Sequence, residues 1–154
     1  DHDRGVIVLG NRHHAELRHA ILWRVMDRNH GRSPRDWNGE VFRLYREQRE
    51  AIDRQWARTA SKRLEDTRPG LPATAYTGAF ENPAFGEIVV RNEGEELLLT
   101  MPNARFPLSH WHLDTYLLEI PAWNVKDFVE FRIDGKGAVT SFEFLGDTYS
   151  RVDR

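Results

Sequence analysis

Two imidazoles and a carboxylate stand at alternate positions in His110-Trp111-His112-Leu113-Asp114. In extended backbone, alternate side chains share a face. His110, His112 and Asp114 would then converge as two nitrogen ligands and one oxygen ligand, a set suited to zinc or a similar ion. A plainer reading makes the three a polar outer face, with Trp111, Leu113 and Thr115 turned inward. Strand alternation produces that pattern unaided. The plainer reading leads, so no metal and no cofactor is expected, and the triad stays as the weaker alternative. His13, His14 and His19 are weaker still as ligands and fit a solvated helix start. Glu95-Glu96 sits in a turn, where hydration accounts for it better than paired acid–base work.

The second candidate is capture of a small apolar molecule. Phe106, Trp111, Tyr116, Phe128, Phe131 and Phe142 could line the cavity of a β-barrel. The same six rings could equally fill a closed core, and in so short a barrel the filled core is the stronger expectation.

These residues need elements to hold them. Val6-Ile7-Val8-Leu9 is an unbroken apolar run between Gly5 and Gly10. It predicts a strand buried on both faces, with nothing before it to supply neighbours. Asn11 can cap a helix from about His13 to His30, with Leu17, Ile21, Leu22, Val25 and Met26 at helical spacing and Gly31 as its stop. Ser33 as N-cap, Pro34 in the first turn and Asp36 beyond predict a second helix start. Its stripe runs through Val41, Leu44, Tyr45, Ile52, Trp56, Ala60 and Leu64. Arg46/Glu50, Arg49/Asp53 and Glu50/Arg54 add four-residue charge pairs on the other face. About thirty residues of helix would span ~45 Å, so it should bridge two bodies or break once.

"DTRPGLPAT" ends this helix and marks the one clear boundary. From Tyr76 the period turns from helical to alternating. Short runs fall at Tyr76–Phe80, Glu87–Arg91, Leu97–Met101, Ala104–His110, Trp111–Ile120, Phe128–Ile133, Ala138–Leu145 and Tyr149–Val152. "NEGE", "MPN" and "DGKG" supply turns between them. Eight short strands with no helix between them predict a small antiparallel barrel or sandwich, and closure removes exposed edges.

Composition bounds the function. The 154 residues are 40% hydrophobic and 30% charged, a normal globular balance. A net charge of -2 gives no electrostatic case for nucleic acid or an anionic membrane. No apolar stretch approaches the ~20 residues of a membrane span. Without cysteine there is neither a disulfide scaffold nor a thiolate zinc site. With Asp1 first and Met26 the first methionine, the expectation is a processed or truncated product.

"YTGAFENPAFG" and "LSHWHLDTY" together resemble the lipocalin-like C-terminal domain, of unknown function, attached to many β-lactamase-like serine hydrolases of the class C and CubicO type. The resemblance rests on Tyr76, Gly78 and Phe80, then Phe85-Gly86, then His110-Trp111 with Asp114 and Tyr116. Phe80 and Phe85 stand where that family usually has tyrosine, and Tyr116 where it has phenylalanine. "RGVIVLGN" is similar to the last strand of the hydrolase domain in the same proteins, and the helix ending near Gly31 with the Pro-Arg-Asp-Trp segment also fits. Those enzymes use Ser-x-x-Lys, Tyr-x-Asn or Tyr-x-Ser, and Lys-Thr-Gly or His-x-Gly elements. None occurs in this sequence; Thr59-Ala60-Ser61-Lys62 comes nearest, with threonine in place of serine.

The fold class expected is therefore α+β: an N-terminal strand and two helices, then a small antiparallel eight-stranded lipocalin-like β-barrel. Residues 1–32 would be the remnant of a β-lactamase-like domain, 33–72 a connecting helix and linker, and 73–154 the barrel. The function expected is a non-catalytic accessory domain of a serine hydrolase, shaping active-site access or oligomer assembly. The alternative is a stand-alone barrel for a small hydrophobic ligand. The partner implied is the serine-hydrolase domain of the same parent chain, with a homo-oligomer as a further option. Family analogy would allow a periplasmic or secreted location.

Overall fold

The computed structural model describes residues 5–10, 16–94, 96–121 and 125–152. The chain forms two compact units, Asp1–Lys62 and Arg63–Arg154. The readings placed on Asn11, His13, His14 and Glu95 lie outside the described residues.

The first unit pairs helix α1 (Glu16–Asn29) with helix α2 (Trp37–Ala60). Gly31 ends the first helix in the left-handed region at φ 64°, where a side chain would be strained. Asp27 is buried, and its carboxylate accepts from Trp37 Nε1 at 2.5 Å and faces Arg32 at 3.6 Å. Trp37 also stacks on Trp23 with ring centroids 5.5 Å apart. Tyr45 and His19 are linked through the hydroxyl and Nδ1 at 2.9 Å.

Two expectations change here. The cap of α2 is Asp36 rather than Ser33, because the Asp36 carboxylate reaches the Gly39 N–H at 3.0 Å. Pro34 consequently stays outside the helix. The helix runs 24 residues, ~36 Å instead of ~45 Å, and stops before Leu64. Glu50 bonds to both Arg46 and Arg54, as the four-residue spacing implied.

The N-terminal strand is not formed. Residues 5–10 carry no strand, and Ile7 and Leu9 are 86% and 89% exposed. An apolar run becomes a strand only where a neighbour accepts its backbone hydrogen bonds. The β-structure of the described residues is closed and has no edge to offer.

That β-structure is a closed antiparallel barrel of eight strands in sequence order. The strands are β1 (Gly78–Asn82), β2 (Gly86–Glu93), β3 (Glu96–Met101), β4 (Ala104–His112), β5 (Thr115–Ile120), β6 (Val125–Ile133), β7 (Val139–Phe144) and β8 (Asp147–Val152). Each pairs with the next, and β8 closes on β1 through Ala79 opposite Val152. The α+β expectation of two helices and an eight-stranded barrel therefore stands, without the leading strand.

Alternation sets the core. Ile88 and Val90, Leu97 and Leu99, Tyr116 and Leu118, Val129 and Phe131, and Phe142 and Phe144 are buried at every second position. A single turn of 3-10 helix, Ala73–Tyr76, delivers Tyr76 into the same core. The "DGKG" turn forms as its residues predict. The Asp134 carboxylate accepts from the N–H groups of Lys136 and Ala138, each at 2.9 Å. Those bonds, that from Ala138 first, hold its carboxyl below the usual range.

The β7–β8 hairpin turns on Leu145-Gly146, with φ 52° and 81°. Two consecutive left-handed residues make the tight hairpin turn that prefers Asn-Gly. Leucine is strained there and its side chain is exposed. Leu145→Asn keeps the backbone N–H that donates to Asp127 at 2.7 Å. It is expected to raise barrel stability by about 1 kcal/mol, read as a higher urea midpoint at unchanged m-value.

Candidate functional site

The corner joining β4 to β5 carries the residues singled out for chemistry. His110 pairs with Tyr116 and His112 with Thr115, so Trp111 is an extra residue in a β-bulge. Directly opposed residues share a face, and Thr115 and Tyr116 point to opposite faces. The bulge therefore sends His110 inward beside the buried Tyr116, their rings 5.6 Å apart, and His112 outward. The shared face required for a metal triad is lost. Leu113 is not turned inward either: it forms the turn at φ 47° with its side chain 49% exposed.

A strap of chain, residues 63–71, binds this corner almost atom for atom. Arg63 Nε donates to the Trp111 carbonyl at 2.7 Å, its Nη2 to the His110 carbonyl at 3.4 Å, and its guanidinium lies 4.7 Å from the Trp111 ring centre. The Leu64 N–H donates to His112 Nδ1 at 3.2 Å. Thr67 Oγ1 accepts the Leu113 N–H at 3.1 Å. The Gly70 N–H donates to Asp114 Oδ1 at 2.8 Å. A side chain at Gly70 would meet that carboxylate at 3.2 Å, so the close approach favours glycine.

The same Asp114 oxygen accepts from the Tyr76 hydroxyl, and that hydroxyl accepts the Leu71 N–H at 3.1 Å. Burial, then the bond to Asp114, raises the Tyr76 hydroxyl well above the ordinary phenol value. Burial and the nearby Asp114 charge push Tyr116 up to about 12. Histidine roles follow from their partners. His110 Nε2 faces the Leu113 carbonyl at 2.9 Å and must carry a proton. His112 Nδ1 faces an N–H and must not. Among the described residues no group of three His, Cys, Asp or Glu is placed to hold a metal.

Arg151, which sequence reasoning did not single out, ties the same end of the barrel. Its guanidinium donates to the carbonyls of Val139 at 2.6 Å, Thr77 at 2.8 Å and Ala75 at 2.8 Å, and lies 4.9 Å from the Phe80 ring centre. A Cβ on Gly78 would come within 2.6 Å of Arg151 Nη1. The Tyr-x-Gly-x-Phe stretch and the His-Trp-x-x-Asp stretch, separate in sequence, thus converge. Tyr76 binds Asp114, Gly78 clears Arg151, and Phe80 stacks under it.

The six rings proposed to line a cavity divide. Tyr116, Phe131 and Phe142 belong to the buried core, and Phe106 packs against it. Phe131 meets Tyr76, Tyr116 and Phe142 at 5.0, 5.7 and 5.6 Å, edge-on. Trp111 and Phe128 do not line the interior. Trp111, next after the inward His110, lies on the outer face beside Phe128, centroids 5.3 Å apart.

Two outcomes test this geometry. Asp114→Ala leaves the Gly70 N–H and the Tyr76 hydroxyl without their acceptor, and should cost about 2 kcal/mol in chemical denaturation; Asp114→Asn, which keeps Oδ1, should cost less. Tyr76 and Tyr116 are held neutral in the fold, so their contribution to stability is intact below pH 10 and is lost as pH rises toward 12. Their tyrosinate absorbance should appear together with loss of circular dichroism, not before it.

No curated protein matches the chain. Residues 62–151, which include the strap from its first contact and the barrel up to the last residue but one of β8, match the family model described as a domain of unknown function, DUF3471. The matched segment is more than half of the sequence, and the chain belongs to the DUF3471 family.

Proposed function

We propose that this chain is a non-catalytic accessory domain of a β-lactamase-related serine hydrolase, acting on active-site access or on assembly of the parent enzyme. The observation that carries the reading is the use made of the corner. Its imidazoles, its carboxylate and the Tyr76 hydroxyl are all engaged in holding the chain to itself. Each has one polar atom committed to the fold, namely His110 Nε2, His112 Nδ1, Asp114 Oδ1 and the Tyr76 hydroxyl, a use that anchoring explains without a reaction.

The helical unit supports a partner surface. It contains an apolar groove of about 520 Å³ lined by Leu17, Ile21, Val25, Pro34 and Trp37, with Arg24 and Arg35 beside them. Ile7 and Leu9 are exposed in the same unit. Apolar surface of this kind marks an interaction site, and the resemblance of "RGVIVLGN" to a terminal hydrolase strand supplies the partner. The packed rings of the barrel weigh against the rival reading of a hydrophobic-ligand carrier.

Three results are expected. The purified chain should not turn over nitrocefin or p-nitrophenyl esters above a buffer blank. The reading frame upstream of Asp1 should encode a Ser-x-x-Lys hydrolase. Deleting residues 63–151 from that full-length protein should change KM or oligomer mass. Turnover by this chain, or an upstream frame with no hydrolase, overturns the proposal. Saturable quenching of tryptophan fluorescence by fatty acids would favour the carrier.

A further inference from the structure

We propose that His112 is a proton-operated catch for the strap of residues 63–71: neutral, it holds the Leu64 N–H, and protonated, it releases it. The inference is independent of any parent enzyme, because it rests only on contacts inside the barrel unit.

The chemistry turns on which atom faces which. A backbone N–H can only donate, so the Leu64 bond to His112 Nδ1 at 3.2 Å exists only while that nitrogen holds a lone pair. A proton on Nδ1 sets two donors against each other and converts an attraction into a repulsion. The neighbouring imidazole has the opposite character. His110 Nε2 faces the Leu113 carbonyl at 2.9 Å, an acceptor that a charged ring serves at least as well. Of the two histidines in the corner, only His112 is broken by acid.

The bulge at Trp111 creates this difference by sending His112 outward while His110 stays against Tyr116. The charged and titratable groups on the elements that meet at His112 are the following. On the strap are Arg63, whose guanidinium covers Trp111, and then Glu65, Asp66 and Arg68. On the corner itself are Asp114 and His110. Across β5, Thr115 is followed in register by Glu130 and then Glu143, both ion-paired with Arg132.

Release has a defined extent. The Leu64 bond and the Arg63 contacts are the first attachments of the strap, with Thr67, Gly70 and Leu71 beyond them. Opening from Leu64 frees the outer half of the strap, while Gly70 and Leu71 remain fastened to Asp114 and Tyr76. The device is thus a hinged strap over a barrel end that stays folded.

Amide hydrogen exchange on the whole chain, read residue by residue by NMR, tests this. Between neutral and mildly acidic solution the protection of the Leu64 amide, corrected for intrinsic exchange, should fall by roughly tenfold. The amide of Leu99, in the middle of β3, should keep its protection. His112→Asn places an amide oxygen near the position of Nδ1 and cannot take up the proton, so it should hold Leu64 protection constant across the same range. In the unmodified chain at neutral pH, the imidazole nitrogen shifts should show His112 protonated at Nε2 alone. The proposal is overturned if Leu64 protection does not change, if Leu99 loses protection in step with it, if His112→Asn loses protection equally, or if the His112 proton sits on Nδ1.

Discussion

The hydroxyl of Tyr76 and the carboxylate of Asp114 form the contact on which one end of the barrel depends. Both groups are polar, and Tyr76 is fully buried, so neither could be accommodated there without a partner. Their bond connects the entry to β1 with the β4–β5 corner, thirty-eight positions further along. It also offers two further attachments, the Gly70 N–H on the carboxylate and the Leu71 N–H on the hydroxyl. A network in which each member satisfies another is cooperative, and loss of one member strands the rest. The strap, the 3-10 turn and the corner are held as one arrangement for this reason.

One extra residue decides what the corner presents. Without the bulge, His110 and His112 would share a face, and a metal reading would have its geometry. With it, one imidazole joins the aromatic interior and the other turns out to receive the strap. A shift of one residue inverts every side chain beyond it. Of the residues that carry the family resemblance, Tyr76, Gly78, Phe80, His110, Asp114 and Tyr116 are accordingly explained by packing and hydrogen bonding, whereas Phe85 is exposed. Gly78 has a φ of 147°, which side-chain-bearing residues rarely adopt, and Arg151, its donors spent on three carbonyls, passes where a Cβ would be.

The helical unit has a different balance. Its two helices are joined by a buried carboxylate, Asp27, and by stacked tryptophans, yet Leu17, Phe42, Leu44 and Ile52 remain exposed together with Ile7 and Leu9. Two helices alone, one of them ten residues longer than the other, have too little mutual surface to bury two apolar stripes, which is why so much of this unit stays open. The barrel closes on itself and leaves no strand edge; the helical unit does not reach that self-sufficiency.

Alternating hydrophobicity and turn residues in the sequence were enough to indicate eight strands, the α+β class and the interior positions of Tyr116, Phe131 and Phe142, because a period of two leaves only one way to bury one face. Gly31 as a helix stop and the "DGKG" turn were legible for the same local reason. The Asp36 cap, the bulge at Trp111, the strap and the anchoring roles of Asp114 and Arg151 were not. The strap and the two anchors are settled by partners far away in the chain, and local propensity carries no information about a donor forty or seventy residues distant. The cap and the bulge are local, but Ser33 offered a competing cap signal and alternation does not announce an extra residue. Val6–Leu9 shows the same limit from the other side. Its composition specifies a strand, but a strand is a property of two chains side by side, and only tertiary structure supplies or withholds the neighbour.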